Sequence, residues 1–357
     1  MWEEILNKGR IARKSSFELL RIICMLSIVS LHFVSQSGVK QIANCKPWFY
    51  IVLQSYGRIA CTVFVMISAW FLSEQAFSLK RIVKVELCAV FYGVAFFLGA
   101  RLFNADCGDV TLLKSLTPTI SGPLWFVMIY IELLFLSPFV NVAIDKLERN
   151  VSRQLIYIPM ISILLFSSIF KNDGRIIKDI TFFPIVYAFI MYVKKYHAFE
   201  KVKAKTWLLI GLLSWVFIQA LIMSDMYIKS PVFSQTLADY GAYYRSRFWT
   251  VPNFLCAFCT FMFFKNIDIS QSRLINFVAG PTLGIYMIHQ NPIFYPRLWN
   301  ILITHFDDFY IQNAYFAILL TVILLYIFCG AVEYMRGALF DFVFRILKQQ
   351  RNKVKSL

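Results

Sequence analysis

Charge is scarce in this chain, and negative charge is scarcer still. Asp, Glu, Lys and Arg make up 16% of its 357 residues, with 20 acidic against 36 basic side chains. That scarcity excludes a highly charged, disordered chain. Stretches rich in Gly, Ser or Pro are missing, and so is any repeat of fixed period. One domain, residues 1–335, therefore carries the fold, followed by a basic tail, 336–357. The eight cysteines make no metal framework. Cys256 and Cys259 form an isolated CxxC inside an apolar run with no second pair, so no metal is expected. Cys45 and Cys107 fall in two separate loops, where a disulfide is one option. No Gly-x-Ser-x-Gly occurs, which removes that serine-nucleophile signature. Short alternating segments are missing as well, which argues against a β-barrel.

Apolar residues are abundant. They make up 59% of the chain, aromatics alone 17%, and the mean hydropathy is +0.63. Several runs approach or exceed the roughly 20 residues that cross a bilayer as a helix. The composition implies an all-α, polytopic membrane helix bundle. Ten spans are read, near 17–35, 50–73, 84–104, 122–143, 154–170, 179–193, 206–224, 247–264, 274–296 and 311–332. The first lacks a small-residue cleavage site and more spans follow, so it is not read as a cleaved signal. With the N-terminus in the cytoplasm, inside segments hold about 23 Lys and Arg and outside loops about ten. This bias orients the chain N-in and C-in, in the inner (cytoplasmic) membrane. It also assigns the net charge of +16 to loops and tail, so no nucleic-acid partner is expected. The tail reads either as an amphipathic basic helix on the inner leaflet, touching membrane lipids, or as a solvated segment.

Few ionisable groups remain at depth. Arg21 and His32 share the run Phe17 to Val34. Eleven positions return a side chain to nearly the same azimuth of a helix, with a rise of about 16 Å. Membrane helices rarely carry two ionisable groups on one face without a use. The alternative is that Arg21 snorkels to the surface and His32 caps the other end. Arg58, Glu132 and His289 are the other candidates. By topology His32, Arg58 and His289 gather towards the outer side, with Arg21 alone nearer the cytoplasm. An arginine grips phosphate well, and a histidine further along serves as a general base. Glu132 either lines a cavity or pairs with a basic neighbour. Trp125, at the start of a span, is either an interfacial anchor or a substrate contact. Tyr286 and His289 lie three apart on one face, with a hydrogen-bonded structural role as the alternative for His289. His197 and His305 fall in loops and read as solvated.

Four stretches, in this order, resemble the acyltransferase-3 family of membrane acyltransferases across residues 15–335. The first is the basic residue, ten intervening positions and histidine of Arg21 to His32. The second is Val65-Met66-Ile67-Ser68-Ala69-Trp70-Phe71 after Arg58, with Ala69 where the family usually has glycine. The third combines Leu124-Trp125-Phe126 and Ser137-Pro138-Phe139. The fourth is Gly284, Tyr286 and His289. The resemblance implies transfer of an acyl group, commonly acetyl from acetyl-CoA, to a hydroxyl of an extracytoplasmic or lipid-linked glycan such as O-antigen, capsule or exopolysaccharide. It implies His32 and Arg21 as catalytic residues, and Arg58, Ser68, Trp125, Glu132, Tyr286 and His289 around the substrates. A transporter or flippase for lipid-linked glycans is the rival reading, but it predicts internal repeats or broken helices in matching positions, and the sequence shows neither.

Overall fold

The computed structural model describes residues 14–121, 124–171, 179–228 and 231–355. Gly122-Pro123, at the expected start of the fourth span, and the basic residues before Lys14 lie outside them. Within a bilayer core only internally hydrogen-bonded backbone is tolerated, and the described residues accordingly form helices and turns with no strand. In chain order the helices are α1 (Ser15–Gln36), α2 (Val39–Ile42), α3 (Pro47–Leu72), α4 (Leu79–Leu102), α5 (Leu112–Leu116), α6 (Pro118–Ser121), α7 (Trp125–Lys146), α8 (Arg149–Phe170), α9 (Asp179–Lys195), α10 (Ala204–Tyr227), α11 (Pro231–Ser246), α12 (Val251–Asn266), α13 (Arg273–Ala279), α14 (Thr282–His289), α15 (Phe294–His305), α16 (Asp307–Gln312) and α17 (Ala314–Lys355).

Seven of these are long and apolar enough to cross a membrane: α1, α3, α4, α7, α8, α10 and α17. The pair α11 and α12, bent by 45°, makes an eighth. The chain is thus a polytopic helical membrane protein. Each of the ten expected spans overlies helix, but two differ in form. Helix α9 has only 17 residues and carries Pro184 inside. The stretch 274–296 is broken at Gly280-Pro281 into two short helices, α13 and α14, because proline at that point cannot continue the hydrogen-bond ladder. The last helix runs unbroken for 42 residues, so the tail from 336 to 355 continues the final span. All eight cysteines are free; Cys107 is buried beside Phe97, Ala100 and Ile293, while Cys45 is only half-buried.

Helices α1 and α3 form the centre, packed against each other and against α9, α12, α13, α14 and α17. Lipid tails are as apolar as leucine, so close packing rather than water exclusion drives such contacts. Gly57 supplies the closest approach. A Cβ there would meet Leu31 Cβ at 2.5 Å and the Ser27 carbonyl oxygen at 3.0 Å. Arg58 and His32, one residue beyond each partner, are thereby brought to one level. Ala69, in the family's usual glycine position, is fully buried. Pro138 removes the amide that would bond Leu134, and the Ser137 hydroxyl donates to that carbonyl instead, at 3.0 Å. Ser-Pro-Phe therefore reads as a helix repair within α7.

Candidate active site

Two imidazoles meet at the centre of the site. His32 Nδ1 lies 2.9 Å from His289 Nε2, although 257 positions separate them. His289 Nδ1 lies 2.6 Å from the Ile285 carbonyl oxygen, one turn back on α14. A carbonyl only accepts, so His289 Nδ1 carries the proton and donates it. With that ring neutral, His289 Nε2 presents a lone pair, and His32 Nδ1–H donates to it. The bonding thus assigns both tautomers and leaves the Nε2 lone pair of His32 as the unshared one. His289 is wholly buried and His32 half-buried. Arg58 stands within electrostatic reach of His32, its guanidinium 5.3 Å from the centre of the Phe248 ring.

A cavity of about 220 Å³ runs from Arg21 along α1 to Ile28, one turn short of His32, and neither histidine lines it. Helix α1 lines it with Arg21, Met25 and Ile28, the i, i+4, i+7 face that continues to His32. Helix α3 adds Cys61, Phe64 and Ser68, and α7 adds Phe126 and Tyr130. The break between α13 and α14 contributes Gly280, Thr282, Leu283 and Tyr286. The walls are mostly apolar, with one guanidinium at the far end. Ser68 is partly committed, since its hydroxyl donates to the Phe64 carbonyl at 2.8 Å. Tyr286 packs edge-on against Phe126 and His289, at 6.0 Å from each.

The structure brings Arg21, Ser68 and Tyr286 to the cavity lining and places His32, His289 and Arg58 beyond it, with Tyr286 between the lining and His289. It does not bring Glu132 there. Tyr130 faces the cavity, and Glu132, two residues on, is turned by about 200° on the helix. Its Oε2 is buried without a hydrogen-bond partner. Arg58 stands one turn beyond Cys61 on the cavity face of α3, outside the lining itself. Trp125 does not line the cavity either. It is half-buried between Phe126 and Phe248, 5.6 Å from each, so it belongs to the aromatic cluster beneath Arg58 rather than to a lipid-facing belt.

Arg21 is not alone. It pairs with Glu18 at 3.1 Å and lies 6.0 Å from the Phe71 ring centre. Glu18 is itself buried, at 4% exposure. The sequence carried that signal, since three residues is one helical turn. A second buried cluster, Tyr92, Glu333 and Arg336, also escaped the sequence reading. The Tyr92 hydroxyl donates to Glu333 at 2.6 Å, and Arg336 grips the same carboxylate through two nitrogens at 2.7 and 2.6 Å. A Cβ at Gly284 would overlap the Glu333 carboxyl. The glycine of Gly-x-Tyr-x-x-His is therefore the seat on which α17 rests against α14.

None of the curated proteins and none of the solved structures compared with this chain matches it. A family model does: the acyltransferase-3 model, described as an acyltransferase domain, matches residues 14–332 and so takes in α1, the cavity, α14 and most of α17. That match gives no support to the transporter reading. Spanning nearly the whole chain and all four stretches that carry the histidine pair and the cavity, it shows that this protein belongs to the acyltransferase-3 family and is a multi-pass membrane acyltransferase.

Proposed function

We propose that this acyltransferase moves an acetyl group from cytosolic acetyl-CoA to a hydroxyl of an extracytoplasmic or lipid-linked glycan, such as O-antigen, capsule or exopolysaccharide, across the inner membrane. The observation that carries the reading is the ordered pair His32 and His289, one helical turn beyond Ile28 and beside Tyr286 of an apolar cavity that has Arg21 at its other end. Arg21 contacts the phosphates of the donor. The apolar walls suit the pantetheine arm, whose length is comparable to the distance along α1 from Arg21 to His32. His32 Nε2 takes the proton of the acceptor hydroxyl as its oxygen attacks the thioester carbonyl. The oxygen–carbon bond forms, the carbon–sulfur bond breaks, and the proton passes to the departing CoA thiolate. His289 holds the His32 ring in the reactive tautomer, which makes it a positioning residue. Tyr286 forms the wall beside it. Glu132, turned away from the cavity, drops out of this scheme, and Trp125 acts through Phe248.

This orientation places both termini in the cytoplasm. Alkaline phosphatase fused after Lys46 is expected to be active, and fused after Leu357 inactive; the reverse pattern removes Arg21 from the donor side. The decisive test is mass spectrometry of surface glycan from cells with and without the gene, complemented by wild type or by His32→Ala at equal expression. A loss of acetyl from the repeat unit that only wild type restores supports the reading. An unchanged glycan sinks it.

A further inference from the structure

Four cations stand at the His32 end of the bundle without a carboxylate. Lys40 on α2, Arg58 on α3, Arg245 on α11 and Arg247 in the following turn have no acidic oxygen within 4.0 Å among the described residues. Two of them lie against aromatic rings, Arg58 at 5.3 Å from the Phe248 ring centre and Arg247 at 6.0 Å from those of Tyr243 and Trp249. Lys40 Nζ donates to Gln54 Oε1 at 3.1 Å, and Gln54 in turn donates to the Ser35 hydroxyl at 2.8 Å. Gln54 lies one turn from Arg58 on the same face of α3. Helix α11 is tied down by the Tyr240 and Tyr244 hydroxyls, which donate to the carbonyls of Ile169 and Ser168 at 3.1 and 3.0 Å. The Arg247 Nε is buried with no hydrogen-bond partner. Burial and the neighbouring Arg245 guanidinium push Lys40 below the usual lysine range. Like charges so placed disfavour one another unless something negative joins them.

We infer that this cluster binds an oxyanion, phosphate or carboxylate, carried by the acceptor saccharide, so that the substrate class is an anionic glycan. The inference rests on the acyl-transfer reading for the word acceptor, but not for the anion site. Arg58 ties the cluster to the chemistry, since it belongs to the cluster and also stands within reach of His32. The negative group would dock on Lys40 and Arg245 while a neighbouring hydroxyl meets the His32 base.

The test uses the full chain in phosphatidylcholine nanodiscs. Two anionic probes are titrated, farnesyl diphosphate and a uronic-acid disaccharide, each against its uncharged counterpart, farnesol and lactose. The expected result is that at least one anionic probe binds more tightly than its counterpart by about tenfold or more. Which of the two does so separates a lipid-carrier phosphate from an acidic sugar. Lys40→Gln with Arg245→Gln should erase the preference, and Lys40→Arg with Arg245→Lys should keep it within about threefold. No preference in wild type, or an undiminished preference in the glutamine variant, overturns the inference. So does its complete loss when phosphatidylglycerol replaces half the lipid, which would assign the cations to bulk membrane lipid. Acetyl-CoA binding in the same discs reports separately on the donor reading. If it is absent while the anion preference persists, the acetyl-transfer reading fails and the anion site stands.

Discussion

The five ion pairs among the described residues all lie at the Arg21 end of the bundle, and none lies at the His32 end. Arg21 with Glu18, Lys194 with Glu74, Lys195 with Asp145, His197 with Glu200 and Arg336 with Glu333 all lie in the first half. No such pair occurs in the second half among the described residues, though Lys40, Arg58, Arg245 and Arg247 stand there. An ion pair within the chain asks for no ligand, whereas cations with no carboxylate among the described residues remain available to one. One half of the molecule therefore reads as settled structure, and the other as a surface completed by something that binds. Arg21 is the exception within its half, being both paired and open to the cavity.

The largest expected effect tests the chemistry of the unpaired half. His32→Ala should lower acyl transfer by about 10² to 10⁴ with normal membrane insertion. Transfer measured as CoA release at equal protein would clear His32 of any role if it stayed near wild type. Next comes His289→Ala, where loss of the ring that fixes the tautomer should lower turnover by about tenfold to a hundredfold. KM for the donor should hardly move; a change confined to protein yield would leave His289 a packing residue only. Arg21 then probes the paired half. Arg21→Ala should weaken acetyl-CoA binding by about tenfold, with Arg21→Lys in between because it keeps charge but loses the fork. The same change strands Glu18, at a cost of about 1–2 kcal/mol for a partly exposed pair. Adding Glu18→Gln should restore thermal stability without restoring donor binding, and joint recovery of both would reduce Arg21 to a structural role. The smallest effect is Ser137→Ala. Exposing the Leu134 carbonyl should cost about 1 kcal/mol in a thermal melt and leave turnover alone.

Much of the centre was legible because helical arithmetic is local. Arg21 and His32 share α1, and the i, i+4, i+7 row between them lines the cavity. Tyr286 and His289 read as neighbours for the same reason. The meeting of His32 with His289 was suggested only through topology, as a shared level, and the tautomers could not be read at all. They depend on the Ile285 carbonyl, a backbone group with no sequence signature. Glu132 misled because depth in a span says nothing about azimuth; its distance from Tyr130, two residues, was the available signal. Trp125 misled because a tryptophan at a span start suits an interface, and only the tertiary fold supplies Phe248. The 17 residues of α9 and the shortness of α14 escaped a reading based on apolar length, since both helices are largely enclosed by protein and need not satisfy a lipid boundary alone.

The backing of the His32 base has a consequence for a protein that sits between two aqueous compartments. What stands behind His32 is a neutral ring, and behind that a carbonyl, with no carboxylate in line among the described residues. A carboxylate would stabilise an imidazolium at rest. In the proposed reaction the positive charge is stabilised only while a negative one forms beside it, on the attacking oxygen or the leaving thiolate. A base so backed has little tendency to hold a proton at rest or to hand one across. On the proposed reading, in which the donor is cytosolic and the acceptor lies on the other side, such a site stays closed to the proton gradient between turnovers.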